Sequence, residues 1–125
     1  MIRIVGIQRN ERPDEEFVLF QNQGTLRELL RGHCVMSESA LESGDNIGQS
    51  HVFRDEEQIP SGMYVILFTG RGEPRWARTK DNALVYFAFM QREQSVWSGC
   101  RGPLHLLVKQ HTYSARQAQA QLMAS

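Results

Sequence analysis

The chain has 125 residues, 41% of them apolar and 22% charged, with 14 Lys plus Arg against 14 Asp plus Glu. That composition suits one ordinary globular domain. The balanced charge argues against a protein whose main task is coating nucleic acid, which calls for a basic excess. The longest apolar run falls far short of the roughly 18 residues of a membrane span. The N-terminal MIRIVGIQRNE has no apolar core of a secretory signal, so a cytoplasmic location is expected. Cys34 and Cys100 are too few for a disulfide framework. Two buried or half-buried thiols are expected, with a single bridge as the lesser alternative.

Residues 2–8, IRIVGIQ, alternate and are rich in β-branched side chains, which predicts a first strand. Ile2, Ile4 and Gly6 would share one face, and Arg3, Val5 and Ile7 the other. A charged turn follows. Residues 17–20, FVLF, form a second strand that ends at the turn signal Asn22-Gln23-Gly24. In residues 25–31, Leu26, Leu29 and Leu30 have helical spacing. The stretch is too short for an independent helix, so a turn or a single helical turn dropping leucines into the sandwich edge is expected. Residues 32–36 read as a strand and residues 37–50 as a long polar loop. Residues 51–53 are a short strand.

The most hydrophobic run is 63–68, between the turn Pro60-Ser61-Gly62 and the Gly-rich segment Thr69-Gly70-Arg71-Gly72. It is predicted to be a buried strand. Residues 71–80, RGEPRWARTK, are a basic loop. Residues 84–90, LVYFAFM, form another strand, whose aromatics Tyr86, Phe87 and Phe89 are assigned to the core. Residues 95–97 look extended. Residues 104–108 and 111–114 close the strand series, and 115–125 form a frayed helix or disordered tail. Eight or nine short strands with frequent turns and no long helix predict an all-β antiparallel sandwich over residues 1–114.

The order of motifs carries a family resemblance. Glu16-Phe17-Val18-Leu19-Phe20-Gln21-Asn22-Gln23-Gly24 ends the second strand. Leu30-Arg31-Gly32-His33-Cys34-Val35 follows, then Phe53 with Ile59-Pro60-Ser61-Gly62-Met63-Tyr64-Val65. Thr69-Gly70-Arg71-Gly72, Val85-Tyr86-Phe87, Val96-Trp97-Ser98-Gly99 and Leu104-His105-Leu106 complete the series. This colinear set resembles the lamin-tail domain in its bacterial form, over roughly residues 2–114. The resemblance implies an immunoglobulin-like β-sandwich that is not an enzyme. The chain departs from the family pattern at His33, where a Trp is usual, at Gly102-Pro103, where Gly-Asp is usual, and in the longer 37–50 loop. Lamin-tail domains of animal lamins are associated with DNA and partner proteins, which is an analogy only.

Each chemical candidate competes with a plainer reading. The Thr69–Gly72 glycines mimic a phosphate loop but lack its lysine and its helix, so a tight turn is expected. His33 and Cys34 are neighbours on one strand and point to opposite faces, which rules out a thiol–imidazole pair. His33, Cys34, His51, Cys100, His105 and His111 lack metal-ligand spacing. The acidic residues all fall in turns, with no sign of a buried carboxylate, so general acid–base chemistry has no candidate. No catalytic residue, cofactor, metal or small-molecule substrate is indicated. Arg71, Arg75, Trp76, Arg78 and Lys80 remain as candidate partner-binding residues. They suit an acidic protein surface, or a phosphate backbone with stacking. The expected function is an interaction or scaffolding module that binds a protein or a second copy of itself through loops or an edge strand. Nucleic-acid binding through 71–80 is the alternative.

Overall fold

The computed structural model describes residues 1–44 and 47–108. The expected immunoglobulin-like all-β sandwich is present. Its strands are β1 (Ile2–Gln8), β2 (Phe17–Asn22), β3 (Glu28–Leu29), β4 (His33–Ser37), β5 (Ser50–Val52), β6 (Gln58–Ile59), β7 (Tyr64–Phe68), β8 (Arg75–Arg78), β9 (Leu84–Phe89) and β10 (Leu104–Val108). One sheet has the order β1-β2-β7-β9-β8 and a second β10-β4-β5; β3 and β6 form a two-stranded patch. Every pairing is antiparallel except β7 with β9, which run parallel with Ile66 opposite Phe87. The expectation of a wholly antiparallel sandwich is corrected there. The chain leaves β7, forms β8 at the sheet edge, and returns to β9 inside it.

The two larger sheets share one core. Val18, Phe20, Val65, Leu67 and Ala88 meet Val35 and Leu104, with Leu30, Phe53, Ile59 and Trp97 filling between. Phe20 and Phe53 meet edge to face at 5.5 Å. Each fully buried side chain of this size contributes about 1.5–3 kcal/mol of transfer free energy. β1 carries a bulge between Ile4 and Gly6. The extra residue reverses the parity of the strand. Ile7 therefore joins Ile2 and Ile4 against the core, and Val5 is left 41% exposed.

Several local expectations change. Residues 25–31 form no helical turn: Leu26 is 78% exposed, Leu29 lies in the short strand β3, and only Leu30 enters the core. The 37–50 loop contains a helix, α1 (Glu38–Ser43), and a 3-10 turn at Ile47–Gln49. Ser37 caps α1 by accepting from the Ala40 N–H at 3.1 Å, and Gly44 ends it at φ 72. These are ordinary stop and start signals. Residues 95–97 were expected to be extended; a 3-10 turn occupies Trp97–Gly99. Cys34 and Cys100 are both free and half-buried, so the single bridge is not formed. Burial pushes both thiols above their usual range. The expected strand at 111–114 and the tail at 115–125 lie outside the described residues.

Candidate functional site

The basic stretch is not a loop throughout, because β8 occupies its centre. β8 pairs only with β9 and forms one edge of the five-stranded sheet. Alternation along the strand sends Arg75 and Ala77 to the outer face and Trp76 and Arg78 to the inner one. Arg75 lies over the Phe87 ring, its guanidinium carbon 4.7 Å from the centroid. The Trp76 indole N–H donates to Glu57 Oε2 at 3.1 Å, and its ring leans on Tyr86 at 5.2 Å. Arg78 donates to the Asn82 carbonyl at 3.3 Å and to its Oδ1 at 3.2 Å. Arg71 sits outside the strand and pairs with Glu93 at 2.8 Å. Lys80 is exposed in the turn after β8. The five residues thus share an edge but not a face. Of the acidic residues at 14–16 and 55–57, these five hydrogen-bond only Glu57, through Trp76.

The outer face of the same sheet is apolar. The register puts Phe17 and Leu19 of β2, Ile66 and Phe68 of β7, and Phe87 and Phe89 of β9 side by side there, all partly exposed. Phe68 is the hub. It meets Phe17 and Phe87 edge to face, at 5.8 and 5.9 Å, and stacks on Phe89 at 5.5 Å. The aromatic run of β9 was assigned to the core as a whole, but only Tyr86 and Ala88 point inward. A continuous apolar strand implies two covered faces, and among the described residues no element covers the second. Next to Arg75 and Arg71, the rings of Phe68, Phe87 and Phe89 line a shallow cavity of about 290 Å³.

The glycines beside this cavity are spacers. A Cβ on Gly72 would lie 2.4 Å from the Phe89 ring, and one on Gly70 3.1 Å from the Asp14 backbone. Close approach, rather than a left-handed turn, favours glycine at both positions. The turn before β7 is the conformational case: Gly62 has φ +79, and the Met63 N–H donates to the Pro60 carbonyl at 3.1 Å.

Three buried polar residues hold the frame. Glu16 has no solvent exposure, which corrects the expectation that every acid lies in a turn. Its Oε1 accepts from the Thr69 hydroxyl at 2.8 Å and from the N–H groups of Val96 and Trp97 at 2.9 and 3.0 Å. Its Oε2 accepts from the N–H of Ser98 at 2.9 Å and of Asn10 at 3.3 Å. Asn22 is equally buried; its amide donates to the Leu26 and Ile59 carbonyls at 2.9 and 2.8 Å and accepts from the Gly24 N–H at 3.0 Å. His33 fills the core site, with Nδ1 2.9 Å from the Leu30 carbonyl and Nε2 2.7 Å from Glu28 Oε2. Burial pushes the Glu28 carboxyl up, but the Met1 amino group, His33 and the Ile2 N–H outweigh it and hold it below its usual range. Both oxygens of Glu16 are held by fixed donors, so the side chain is a tether.

Cys34 and His33 do face opposite ways, the histidine buried and the thiol half-buried. Among the described residues no three His, Cys, Asp or Glu side chains come together as a metal site. No helix among them is long and apolar enough to cross a membrane.

The fold and the site define an immunoglobulin-like β-sandwich with one charged edge strand beside an aromatic sheet face. No protein-family model matches the chain, and no curated protein or solved structure matches it.

Proposed function

We propose that this domain is a non-catalytic interaction module of lamin-tail type that takes an extended, acidic segment of a protein partner on the β8 edge. The observation that carries this reading is the contrast between the two edges of the five-stranded sheet. β1 is broken by its bulge, which blunts an edge. β8 pairs in regular register with β9 on one side and has no strand on the other among the described residues. An incoming strand finds unpaired backbone groups there. Its side chains would meet Arg75 on one face and Arg78 on the other, so a carboxylate three positions from another matches both.

The same edge disfavours a second copy of itself. Antiparallel pairing of two β8 strands about Trp76 sets Arg75 diagonal to its own copy. Pairing about Ala77 does the same for Arg78. Diagonal neighbours lie about 7–8 Å apart, close enough for like charges to oppose pairing. Nucleic-acid binding has less support: Arg71 is paired with Glu93, and Arg75 and Arg78 project from opposite faces.

The test is fluorescence anisotropy with a labelled β-prone peptide carrying Glu-x-x-Glu, against the same peptide with Lys-x-x-Lys. Saturable binding of the acidic peptide alone, lost in the R75E/R78E double variant, is expected. Equal binding of both peptides, or acidic binding that survives the double variant, overturns the reading. Light scattering that finds a dimer dispersed by R75E/R78E would replace it with self-association.

A further inference from the structure

A second cleft, away from β8, lies between the end of β5 and the segment that leaves β9. It measures about 540 Å³, and His51, Val52, Arg54, Asp55, Phe89 and Arg92 are among its lining residues. Arg54 and Arg92 come from segments far apart in sequence, yet they flank one opening. Neither guanidinium has a hydrogen-bond or ion-pair partner among the described residues. The carboxylate in the same cleft is already engaged, because Asp55 Oδ2 accepts from the Tyr86 hydroxyl at 2.6 Å. Elsewhere Arg9, Arg12, Arg31, Arg71 and Arg78 each have a partner.

The backbone that presents Arg92 is strained and locked. Gln91, the residue before it, has φ 62, which a non-glycine side chain adopts rarely. Its amide is held from both sides: Nε2–H donates to the Gly72 carbonyl at 2.7 Å, and Oε1 accepts from the Gly72 N–H at 3.3 Å. The Gln91 and Arg92 N–H groups donate to the Gly70 and Thr69 carbonyls at 3.1 and 3.0 Å. Such strain persists only where the surroundings over-determine it, and it clusters at functional positions. The apolar wall comes from Val52, 50% exposed, and from Phe89 and Met90.

We propose that this cleft binds a small organic anion, a carboxylate or phosphate group gripped by Arg54 and Arg92, with an apolar or aromatic body against Phe89, Met90 and Val52. Guanidinium pairs suit both anions, because each presents a planar fork of donors. His51 reports on occupancy. Burial pushes its ring down to about 4; Asp55 opposes that shift and the two arginines add to it. A bound anion offsets the arginine charge and raises that value.

The experiment titrates the full chain with benzoate, phenyl phosphate and inorganic phosphate, followed by calorimetry and by the His51 ring signals in NMR. Benzoate or phenyl phosphate is expected to bind saturably, more tightly than inorganic phosphate, and to move the His51 titration upward. The R54Q/R92Q variant should weaken binding about tenfold or more, while R101A should leave it unchanged. Benzoate binding alone assigns a carboxylate ligand, and phenyl phosphate binding alone a phosphate ester. Absence of saturation by all three, or unchanged affinity in a folded R54Q/R92Q protein, overturns the proposal.

Discussion

Replacement of Glu16 tests whether one buried carboxylate holds together the segments that meet at one end of the five-stranded sheet. Glu16→Gln preserves shape and leaves one acceptor oxygen. If that oxygen keeps the three donors of Oε1, the amide nitrogen faces the Ser98 and Asn10 N–H groups, at the 2.9 and 3.3 Å positions. Two charge-assisted bonds are lost, each worth about 1.5–3 kcal/mol, and donor then faces donor. A loss of about 3–5 kcal/mol is expected. Glu16→Ala strips partners from the buried Val96 and Trp97 N–H groups as well and should cost at least as much. Against a typical stability of about 5–15 kcal/mol that is a large share, and at the low end of the range either variant is close to unfolding at room temperature. Urea denaturation followed by tryptophan fluorescence, from Trp76 and Trp97 together, gives the free energies. Amide exchange at Val96, Trp97 and Ser98 should accelerate by more than the global change. A loss below about 1 kcal/mol for Glu16→Ala, with those amides still protected, would refute the tether.

His51 predicts a pH dependence. Its ring is held at about 4 when folded and titrates near 6.5 when unfolded. The unfolded chain therefore binds the extra proton first. The stability from neutral His51 is fully present above about pH 6.5 and is lost as pH falls toward 4. It is worth up to about 3 kcal/mol by linkage. His51→Gln should flatten that part of the urea midpoint against pH, read as the difference between the two proteins. Asn22→Ala removes a buried amide with two donated bonds and should cost about 2–4 kcal/mol in the same assay. Gly72→Ala puts a Cβ 2.4 Å from the Phe89 ring and should destabilise by about 1–3 kcal/mol, with the Phe89 ring signals shifted in NMR. A neutral effect would mean that the ring has room to move.

The strands with simple patterns were legible in the sequence. Leu104–Val108 falls where the apolar run and the flanking turns predict it, and Tyr64–Phe68 differs from the predicted run by one residue at its start. Features that depend on a distant partner were not legible. Ile7 faces the core because of a bulge, and no local composition marks it. β3 and β6 are two residues each, and each exists only because the other is opposite. β8 lies within a charged, proline-containing stretch and is a strand because β9 offers it an edge. Of the candidate residues, Arg75, Trp76 and Arg78 were found from their charge and aromatic content, but their division between two faces follows from pairing. Glu16 was hidden because most of its donors are distant in sequence, Thr69 53 residues away and Val96, Trp97 and Ser98 80 to 82. Arg54 and Arg92 were passed over because nothing in the sequence brings them to one cleft.

The parallel pairing of β7 with β9 has a consequence for how the sheet is taken apart. Because those strands bond directly, the sheet is continuous from β1 to β9 without β8. The segment between β7 and β9 is an appendage threaded around the rim, not a link in the middle. It ends in a turn closed by the Thr79 N–H to the Ala83 carbonyl at 2.9 Å, with Asn82 at φ 63. A cut or a long insertion at that tip would sever no pairing in the centre of the sheet. The edge strand could thus be lengthened, exchanged or peeled away while the rest of the sandwich stands. Apart from Trp76, which packs on Tyr86 and against the core, its side chains are free to change with whatever it meets.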